Sequence, residues 1–495
     1  MNDLTPTEHQ TDCQRDIHLL NDLLHNSNES YVVEFKRNNE NPEMIGKLIS
    51  ALSNAARLKD KDFAYVLWGV DDASHQVLGT TFSPMTQKVG NQDLSFRLAQ
   101  VLKPSIPFAF REANYHGQRM VLLEIPAAPT HPVAYDGCAY IRIDSATPPL
   151  SQYPEYEQLL WRKIQSYQWE NDVAKSFVDG DGVLSILDYP RYFELTEQPL
   201  PDNRQGIFER LMAERVITRD VGEYWNITNL GAILFAKRFD QFPPSLARKA
   251  IRFVAYDGDN RACAVTHRQD GVRGYASGFD GLLDYVHTLL PRNEHIGIAL
   301  RESKPLYPSI AIRELVANAI IHQDMTVTGA GPLIEMFSDR IELTNPGLPL
   351  VQPERFLDFP PRSRNEVMAA LMRRMRFCEE QGTGIDKVLS AVELYQLPPP
   401  DFRVENESVR VILYAPRQFA DMTPEERMRA CYQHASLLYV SGGQKMKNTS
   451  LCQRFNIDLS NAAQATRVIK QTIQRGLIRP ADSEHPRAGY VPFWA

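Results

Sequence analysis

Two glutamates and a lysine surround a short β-branched and aromatic segment near the N-terminus. Glu29 lies in a turn rich in Asn and Ser, and Glu34 and Lys36 follow within the segment. Apolar and polar residues alternate from Tyr31 onward, which predicts a strand. On such a strand Glu34 and Lys36 share one face, and the apolar side chains between them point to a core on the other face.

A second predicted strand runs into another acid. Residues 63–70 are largely apolar and lead into an Asp pair that ends at Asp72. Strand ends present side chains from a rigid scaffold, so we expect Glu29, Glu34 and Asp72 to converge. Carboxylates suit Mg²⁺ or Mn²⁺, and such an ion can activate water and neutralise phosphate charge. Lys36 would then stabilise the phosphate or the attacking hydroxide. The alternative is a solvated Glu-x-Lys pair on the wet face of a strand.

A stripe of polar residues marks an otherwise apolar segment at 310–324. Glu314, Asn318 and His322 recur every four residues there, so they lie on one side of a predicted helix. A buried asparagine costs free energy unless it has a partner. A bound metal ion and phosphate would supply that partner.

Two turns with glycine follow this helix. Asn345 and Gly347 come at the end of a predicted strand, and Gly382, Thr383 and Gly384 precede another predicted helix. Small residues before a helix N-terminus let backbone amides approach a phosphate. A lone Gly-Thr-Gly indicates only a turn, but together with the upstream polar stripe it favours nucleotide binding.

Composition limits the functions that these residues can serve. The 495 residues exceed one ordinary core and predict three or four domains, with 43% hydrophobic and 23% charged residues. The sequence shows neither a signal peptide nor an apolar segment of bilayer length, so we expect a cytoplasmic protein without membrane contact. Six scattered cysteines without a Cys-x-x-Cys pair indicate reduced thiols rather than a zinc ribbon or disulfide framework. The formal net charge of −7 restricts any nucleic-acid binding to local patches.

The segment from about 185 to 238 predicts a helix at 206–214, two short strands and a second helix from Asn229. This order resembles part of a winged helix. The segment could bind DNA or join domains, and the absence of a dense Lys or Arg run favours joining.

The C-terminal 75 residues are basic. From Asp421 onward ten Lys or Arg stand against six Asp or Glu, which gives a formal charge of +4. Their pattern predicts helix-turn-helix order followed by a β-wing. Arg467, Lys470 and Arg475 on the second helix would contact phosphates or base edges. A dimerisation or packing module of the same shape is the alternative.

The three N-terminal acids, with five-residue and thirty-eight-residue steps between them, resemble the Schlafen AlbA-type domain over roughly residues 15 to 150. In nuclease members of that family three acids cut RNA, and they match Glu29, Glu34 and Asp72. Many bacterial relatives with the domain are described only as DNA-binding regulators. This chain departs from the family at 57–62, where a charged stretch replaces the usual Gly-Gly pair.

The helix and the two turns, in that order, resemble the GHKL-type ATP-binding domain that bacteria attach to Schlafen-like domains. The resemblance implies that Glu314 is the general base for ATP hydrolysis, Asn318 the Mg²⁺ ligand, and Gly382 and Gly384 the phosphate-loop glycines. It also implies a nucleotide-dependent homo-oligomer.

The chain departs from the GHKL pattern at the expected adenine pocket. Asn345 stands where the family has the Asp of Asp-x-Gly, with Gly347 as the glycine of that motif. An asparagine amide is neutral and both donates and accepts hydrogen bonds. We assign His322 and Thr383 to the same nucleotide site.

The sequence therefore predicts an α/β and α+β multidomain protein. Its parts are a Schlafen-like α+β domain (1–150), a winged-helix-like connector (151–239), a GHKL-type α/β sandwich (240–415) and a C-terminal winged helix (420–495). One hypothesis is a metal-dependent endonuclease acting on RNA or DNA, gated by ATP. The other is an ATP-responsive DNA-binding transcriptional regulator without nuclease activity. Clustered acids favour the first, since a binding surface alone would prefer basic residues, whereas the terminal helix-turn-helix favours the second.

Overall fold

The computed structural model divides the chain into two compact units. It describes residues 6–26, 31–71, 74–165, 168–220, 223–296, 301–360, 362–378, 383–482, 484–485 and 488–495, with the backbone alone at 6–13, 26, 292–296 and 301–304. Three predicted site residues, Glu29, Asp72 and Gly382, therefore lie outside the described residues.

The first unit comprises the chain up to Gln168 together with Ser176–Gly180 and Thr218–Asn226. Up to residue 168 its helices are α1 (Pro6–Asn26), α2 (Pro42–Leu58), α3 (Leu94–Val101) and α4 (Pro154–Gln165). Its strands over the same stretch are β1 (Val33–Lys36), β2 (Phe63–Trp68), β3 (Lys88–Val89), β4 (Gln92–Asp93), β5 (Leu102–Lys103), β6 (Ala109–Tyr115), β7 (Gln118–Pro126), β8 (Ala134–Tyr135) and β9 (Cys138–Ala139).

A four-stranded sheet of order β1-β2-β7-β6 forms the centre of this unit. Strands β1 and β2 run parallel, and the remaining neighbours are antiparallel. Alternate side chains reach opposite faces of the sheet. Val33 and Phe35 pack with α1, as the alternation predicted. Val66 and Trp68 pack with α2 on the other face.

Helix α2 begins where a side chain caps its first turn. The Asn41 side-chain oxygen accepts the backbone N–H groups of Glu43 and Met44 at 2.9 and 3.2 Å, and Pro42 takes the first helical position. The helix ends at Leu58, and β2 begins at Phe63. The charged stretch that replaces the Gly-Gly pair therefore forms the end of α2 and the turn into β2.

One predicted strand in this unit is wrong. The resemblance to the Schlafen AlbA-type domain implies a late strand at residues 140–143, but Tyr140 and Ile143 make only isolated bridges, to Pro149 and Ala146. The pairing partners come from the same short loop, so no continuous ladder develops.

From residue 169 onward the chain forms the remaining elements. The helices are α5 (Gly180–Ile186), α6 (Tyr189–Leu195), α7 (Arg204–Ala213), α8 (Asn229–Phe235), α9 (Pro244–Ala247), α10 (Tyr275–Leu289), α11 (Ser309–Ile321), α12 (Glu366–Arg374), α13 (Gly384–Leu394), α14 (Pro424–Val440), α15 (Asn448–Arg454) and α16 (Ala463–Gln474). The strands are β10 (Val173–Val178), β11 (Ile217–Arg219), β12 (Trp225–Thr228), β13 (Arg252–Tyr256), β14 (Val265–Asp270), β15 (Arg292–Ile296), β16 (Arg301–Pro305), β17 (Leu333–Met336), β18 (Arg340–Pro346), β19 (Asp401–Glu405), β20 (Ser408–Tyr414), β21 (Ile478–Pro480) and β22 (Tyr490–Pro492). The predicted connector order of helix, two strands and helix is present as α7, β11, β12 and α8.

The second unit contains a six-stranded sheet of order β14-β13-β17-β18-β20-β19. Strands β13 and β17 run parallel, and the other neighbours are antiparallel. Helix α11 lies against β18 and contacts α10 and α13. This layered α/β arrangement agrees with the predicted GHKL-type sandwich.

Three helices and a hairpin form the C-terminal part of the same unit. Helices α14, α15 and α16 enclose a core that includes Cys431, Cys452, Val468 and Ile469, and β21 pairs with β22. The two cysteines are buried, as expected of thiols that fill a core. The order agrees with the predicted winged helix.

Within the described residues, no helix combines the length and apolarity that crossing a membrane requires.

Candidate functional site

A cavity of about 210 Å³ opens beside α11 and the strands β18 and β20. Five of the predicted nucleotide-site residues line it: Glu314, Asn318, His322, Asn345 and Gly384. Much of the remaining wall is apolar and includes Leu343, Leu350, Phe356, Phe359, Phe402, Val409 and Val411. An apolar cavity with a few convergent polar groups is the usual form of a small-molecule site.

Glu314 and the start of α13 meet in this cavity. Glu314 is 2% exposed. A Cβ atom added to Gly384 would lie 2.9 Å from Oε2 of Glu314 and 3.7 Å from Nδ2 of Asn318. Glycine therefore lets the first turn of α13 approach both side chains. Thr383 occupies the N-cap of α13, and its carbonyl accepts the Lys387 N–H at 3.0 Å.

Asn345 points into the cavity from the end of β18, where it pairs with Val409 of β20. It is 5% exposed. Two residues later Gly347 has φ +105°, and a Cβ there would lie 2.6 Å from Cβ of Asp324. Only glycine accommodates both constraints. Gly347 is not a lining residue and instead lets the chain turn tightly beside the cavity.

His322 follows the last turn of α11 and also lines the cavity. Its backbone N–H donates to the Asn318 carbonyl at 3.0 Å. His322 keeps exposed surface, and partial desolvation of its ring on the cavity side, with the Arg364 charge second, lowers its pKa. The imidazole is therefore neutral near pH 7 and contributes hydrogen bonding rather than charge.

Sequence reasoning missed three arginines that line the same cavity. Arg362 and Arg364 come from the loop before α12, and Arg373 comes from α12 itself. The Arg364 guanidinium donates to the Leu348 carbonyl at 2.9 Å, which fixes it beside the site. The Pro-Arg-Ser-Arg run was the available signal. Guanidinium groups suit polyphosphate recognition because they present several donors in a planar fork.

In the first unit, Glu34 lies between two cations. Lys36 Nζ is 2.7 Å from one carboxylate oxygen of Glu34, and the guanidinium of Arg142 pairs with the other oxygen. Glu34 and Arg142 are both buried. Arg142 was not among the predicted site residues, because an arginine between two isoleucines gives no local sign of its partner.

The described residues do not assemble the predicted metal site of this domain. Of the three predicted acids only Glu34 is described, and its carboxylate is already paired with two cations. In the part of the chain that the structure describes, no group of three His, Cys, Asp or Glu side chains is placed to hold a metal ion.

The predicted nucleic-acid contacts lie on the outer side of α16. Arg467 and Lys470 are exposed on the helix, and Arg475 is exposed at its C-terminal cap. Val468 and Ile469 point the opposite way into the core. Among the described residues none of these three cations has an ion-pair partner. Their charge is thus available to a phosphate backbone.

Comparison with known proteins identifies two domains. Residues 29–151 match the family described as "Schlafen, AlbA_2", and residues 329–413 match HATPase_c_4, described as "Putative ATP-dependent DNA helicase recG C-terminal". The chain carries an N-terminal Schlafen AlbA_2 domain and a GHKL-type ATPase domain, as predicted. Helix α11 lies before the second matched segment, so that match does not include Glu314 and Asn318. The roles proposed for these two residues therefore depend on the cavity geometry. Together the two domains indicate a nucleic-acid-related, ATP-dependent function.

The chain also has likenesses among solved structures. A crystal structure of a Corynebacterium diphtheriae protein is 15% identical, with 93% of this chain and 94% of that chain covered and a TM-score of 0.41. A solution structure of the N-terminal domain of a RecG-related protein from Nitrosomonas europaea is 22% identical, with 27% and 89% covered and a TM-score of 0.18. Neither TM-score establishes a shared fold. No functionally curated protein matches the sequence.

Proposed function

We propose that this protein binds and hydrolyses ATP in the cavity beside α11 and uses the nucleotide to control its action on nucleic acid. The observation that carries the proposal is the meeting of Glu314, Asn318 and the N-terminus of α13 at Gly384. A buried acid, an amide and a helix N-terminus in one cavity supply a base, a metal ligand and a phosphate site. ATP titration of the wild type, followed by hydrolysis assays, tests it.

Each residue of the cavity has a distinct task in this proposal. Glu314 accepts the proton of the water that attacks the terminal phosphate. Asn318 would hold Mg²⁺, which when bound neutralises phosphate charge. The backbone at Gly384 binds the phosphates. Three arginines of the cavity wall, Arg362, Arg364 and Arg373, balance the remaining phosphate charge. The apolar wall near Asn345 receives the base.

For the nucleic acid, we propose that the C-terminal winged helix binds duplex DNA through α16. Support comes from the cations Arg467, Lys470 and Arg475, which are exposed on α16 and its C-terminal cap while the overall protein is acidic. In this case the protein acts as an ATP-responsive transcriptional regulator.

Replacing these three cations by alanine is expected to weaken DNA binding and flatten its salt dependence. Each lost phosphate contact lowers the slope of log affinity against log salt by about 0.9, so three contacts lower it by roughly 2.7. Fluorescence anisotropy with a labelled duplex at several salt concentrations measures the slope. The matched control replaces Arg204, Arg238 and Arg268, which are exposed but already paired with acids. Equal slopes for the two triple variants would exclude α16 as the DNA contact.

A second candidate is that the Schlafen-type domain is an endonuclease acting on RNA or DNA. The specific observation in its favour is the buried charged cluster of Glu34, Lys36 and Arg142, which starts at the carboxyl end of β1. We propose that Glu29 and Asp72 complete the active site with Mg²⁺ or Mn²⁺. Clustered charge of this kind is costly in a core and is characteristic of functional sites.

If this candidate is correct, wild type cuts at least one member of a panel of tRNA, single-stranded RNA, and single- and double-stranded DNA, and Glu34→Gln does not. Glutamine keeps the shape beside Arg142 but removes the negative charge. Thermal melting verifies that the variant folds, because loss of a buried ion-pair partner costs about 3–5 kcal/mol. Lanes with and without ATP show whether the nucleotide gates cleavage. If the wild type binds duplex DNA but cuts no member of the panel, the endonuclease is excluded and the DNA-binding regulator is supported.

The cytoplasmic location and the homo-oligomer stay predictions of this proposal. A nucleotide-dependent dimer fits a control function, because ATP binding would then alter how the nucleic-acid-binding surfaces are presented.

A further inference from the structure

We propose that the cavity recognises guanine as well as adenine nucleotides, with Asn345 as the residue that determines the base preference. This inference depends on the proposed nucleotide function and specifies which bases the site accepts. It comes from the one buried amide on an otherwise apolar patch of the cavity wall.

The strand register defines that patch. Asn345 lies opposite Val409, and Leu343 lies opposite Val411 on the neighbouring strand. Residues two apart on a strand share a face, so these four side chains form one continuous surface. All four line the cavity. A flat apolar ligand with one polar edge, such as a purine, fits this surface.

Asn345 also lacks a partner. It is 5% exposed, and within the described chain no side chain or backbone group hydrogen-bonds its amide. Its amide atoms are not among the fully solvent-excluded polar atoms, so they face the cavity, where a ligand would replace water as their hydrogen-bonding partner.

The chemistry of the amide does not select between the two purines. Oδ1 accepts a hydrogen bond and Nδ2 donates one. With adenine, Oδ1 accepts from the exocyclic amino group and Nδ2 donates to ring N1. With guanine, a half-turn of the amide lets Nδ2 donate to O6 while Oδ1 accepts from N1–H. Both bases therefore form two hydrogen bonds.

A carboxylate at this position would behave differently. It only accepts hydrogen bonds, so with adenine it would keep the amino contact but face the N1 lone pair, and with guanine it would accept from both N1–H and the 2-amino group. A carboxylate would therefore discriminate among purines by the donors that they present. The amide of Asn345 matches both purines, which is why we infer broad purine recognition.

The test is calorimetric titration of the full chain with ATP, GTP, ITP and CTP in the presence of Mg²⁺. We expect dissociation constants for ATP and GTP within about tenfold of each other, since each base makes the same number of hydrogen bonds. ITP should match GTP, because it keeps O6 and N1–H and lacks only the 2-amino group. CTP should bind more weakly, since a smaller ring covers less of the apolar wall.

Asn345→Asp is the variant that reports on the amide. It should separate GTP from ITP, which the wild type binds alike, by about 10- to 100-fold in favour of GTP, because only guanine offers two donors to a carboxylate. Wild type that binds ATP but rejects GTP and ITP would overturn the inference, as would a variant that still binds GTP and ITP equally. If the variant does not fold, the wild-type series with four nucleotides still decides. Failure of every nucleotide to bind would instead refute the nucleotide site itself.

Discussion

Glu314→Gln is expected to slow ATP hydrolysis by about 10²- to 10⁴-fold while ATP still binds, as for loss of a general base. Glu314 is 2% exposed, and its carboxylate approaches the α13 N-terminus at Gly384. Glutamine has nearly the same shape, so the cavity and its hydrogen-bonding capacity are largely preserved. What it cannot do is accept a proton from the attacking water.

Single-turnover hydrolysis and calorimetric binding, measured on the same preparation, separate the two effects. The matched control is Glu342→Gln, because Glu342 is also buried in this domain but pairs with Arg340 and does not line the cavity. The control should hydrolyse ATP at the wild-type rate per folded molecule, since loss of a buried ion-pair partner lowers its stability but leaves the cavity residues unchanged. Equal rates for wild type and Glu314→Gln would remove Glu314 from the reaction, and loss of binding would make it a binding residue.

The second large effect concerns stability. Arg454→Met is expected to destabilise the second unit by about 3–5 kcal/mol, the usual result of breaking a buried ion pair from one side. Arg454, on α15, is buried, with Nε 3.3 Å from Oε1 of Glu393 on α13. Its guanidinium also donates to the Leu397 carbonyl at 2.8 Å. Burial lowers the pKa of Arg454, with the Glu393 charge acting against that shift.

Urea unfolding of the full chain measures the effect, with Arg467→Met as the control because Arg467 is an exposed cation of the same fold. The control should change stability by less than about 0.5 kcal/mol, as exposed substitutions usually do. The double variant Arg454→Met with Glu393→Leu should recover part of the loss, since neither charge then remains without its partner. A loss below about 1 kcal/mol for Arg454→Met would show that the pair contributes little.

Helix α13 connects the two predictions. It begins at Gly384 beside the catalytic candidate Glu314 and carries Glu393 in its last turn, where Arg454 and His434 meet it. Nδ1 of His434 lies 3.0 Å from the Glu393 carboxylate. One helix thus touches the nucleotide cavity at its start and the winged helix at its end.

Local pattern was sufficient to predict most elements near the sites. Alternation predicted β1, with Val33 and Phe35 on the core face, and the apolar stretch around Glu314 predicted α11. Both signals depend on neighbours along the chain, which a sequence displays directly. The late strand at 140–143, which the resemblance to the Schlafen AlbA-type domain implied, does not form, because Tyr140 and Ile143 pair only with residues of the same loop.

Buried charges could not be predicted in this way. Arg142 reaches Glu34 across 108 residues, and Arg454 reaches the Leu397 carbonyl across 57. Whether an arginine is exposed or buried depends on the partner that the fold brings to it, and no local pattern encodes that partner. The cavity arginines are not buried, and the Pro-Arg-Ser-Arg run was a local signal for two of them, but the sequence does not show that this loop lies beside α11. The polar stripe of α11 was recognisable because all of its members belong to one helix.

Calorimetric titration of the wild-type chain with ATP and Mg²⁺ is the most direct test of the central claim, which is a nucleotide site beside α11. The account predicts saturable binding at one nucleotide per chain. It also predicts a matching rise in melting temperature, because a ligand at a hundred times its dissociation constant stabilises the folded state by about 2.7 kcal/mol. No saturable heat and an unchanged melting temperature at millimolar ATP would contradict it.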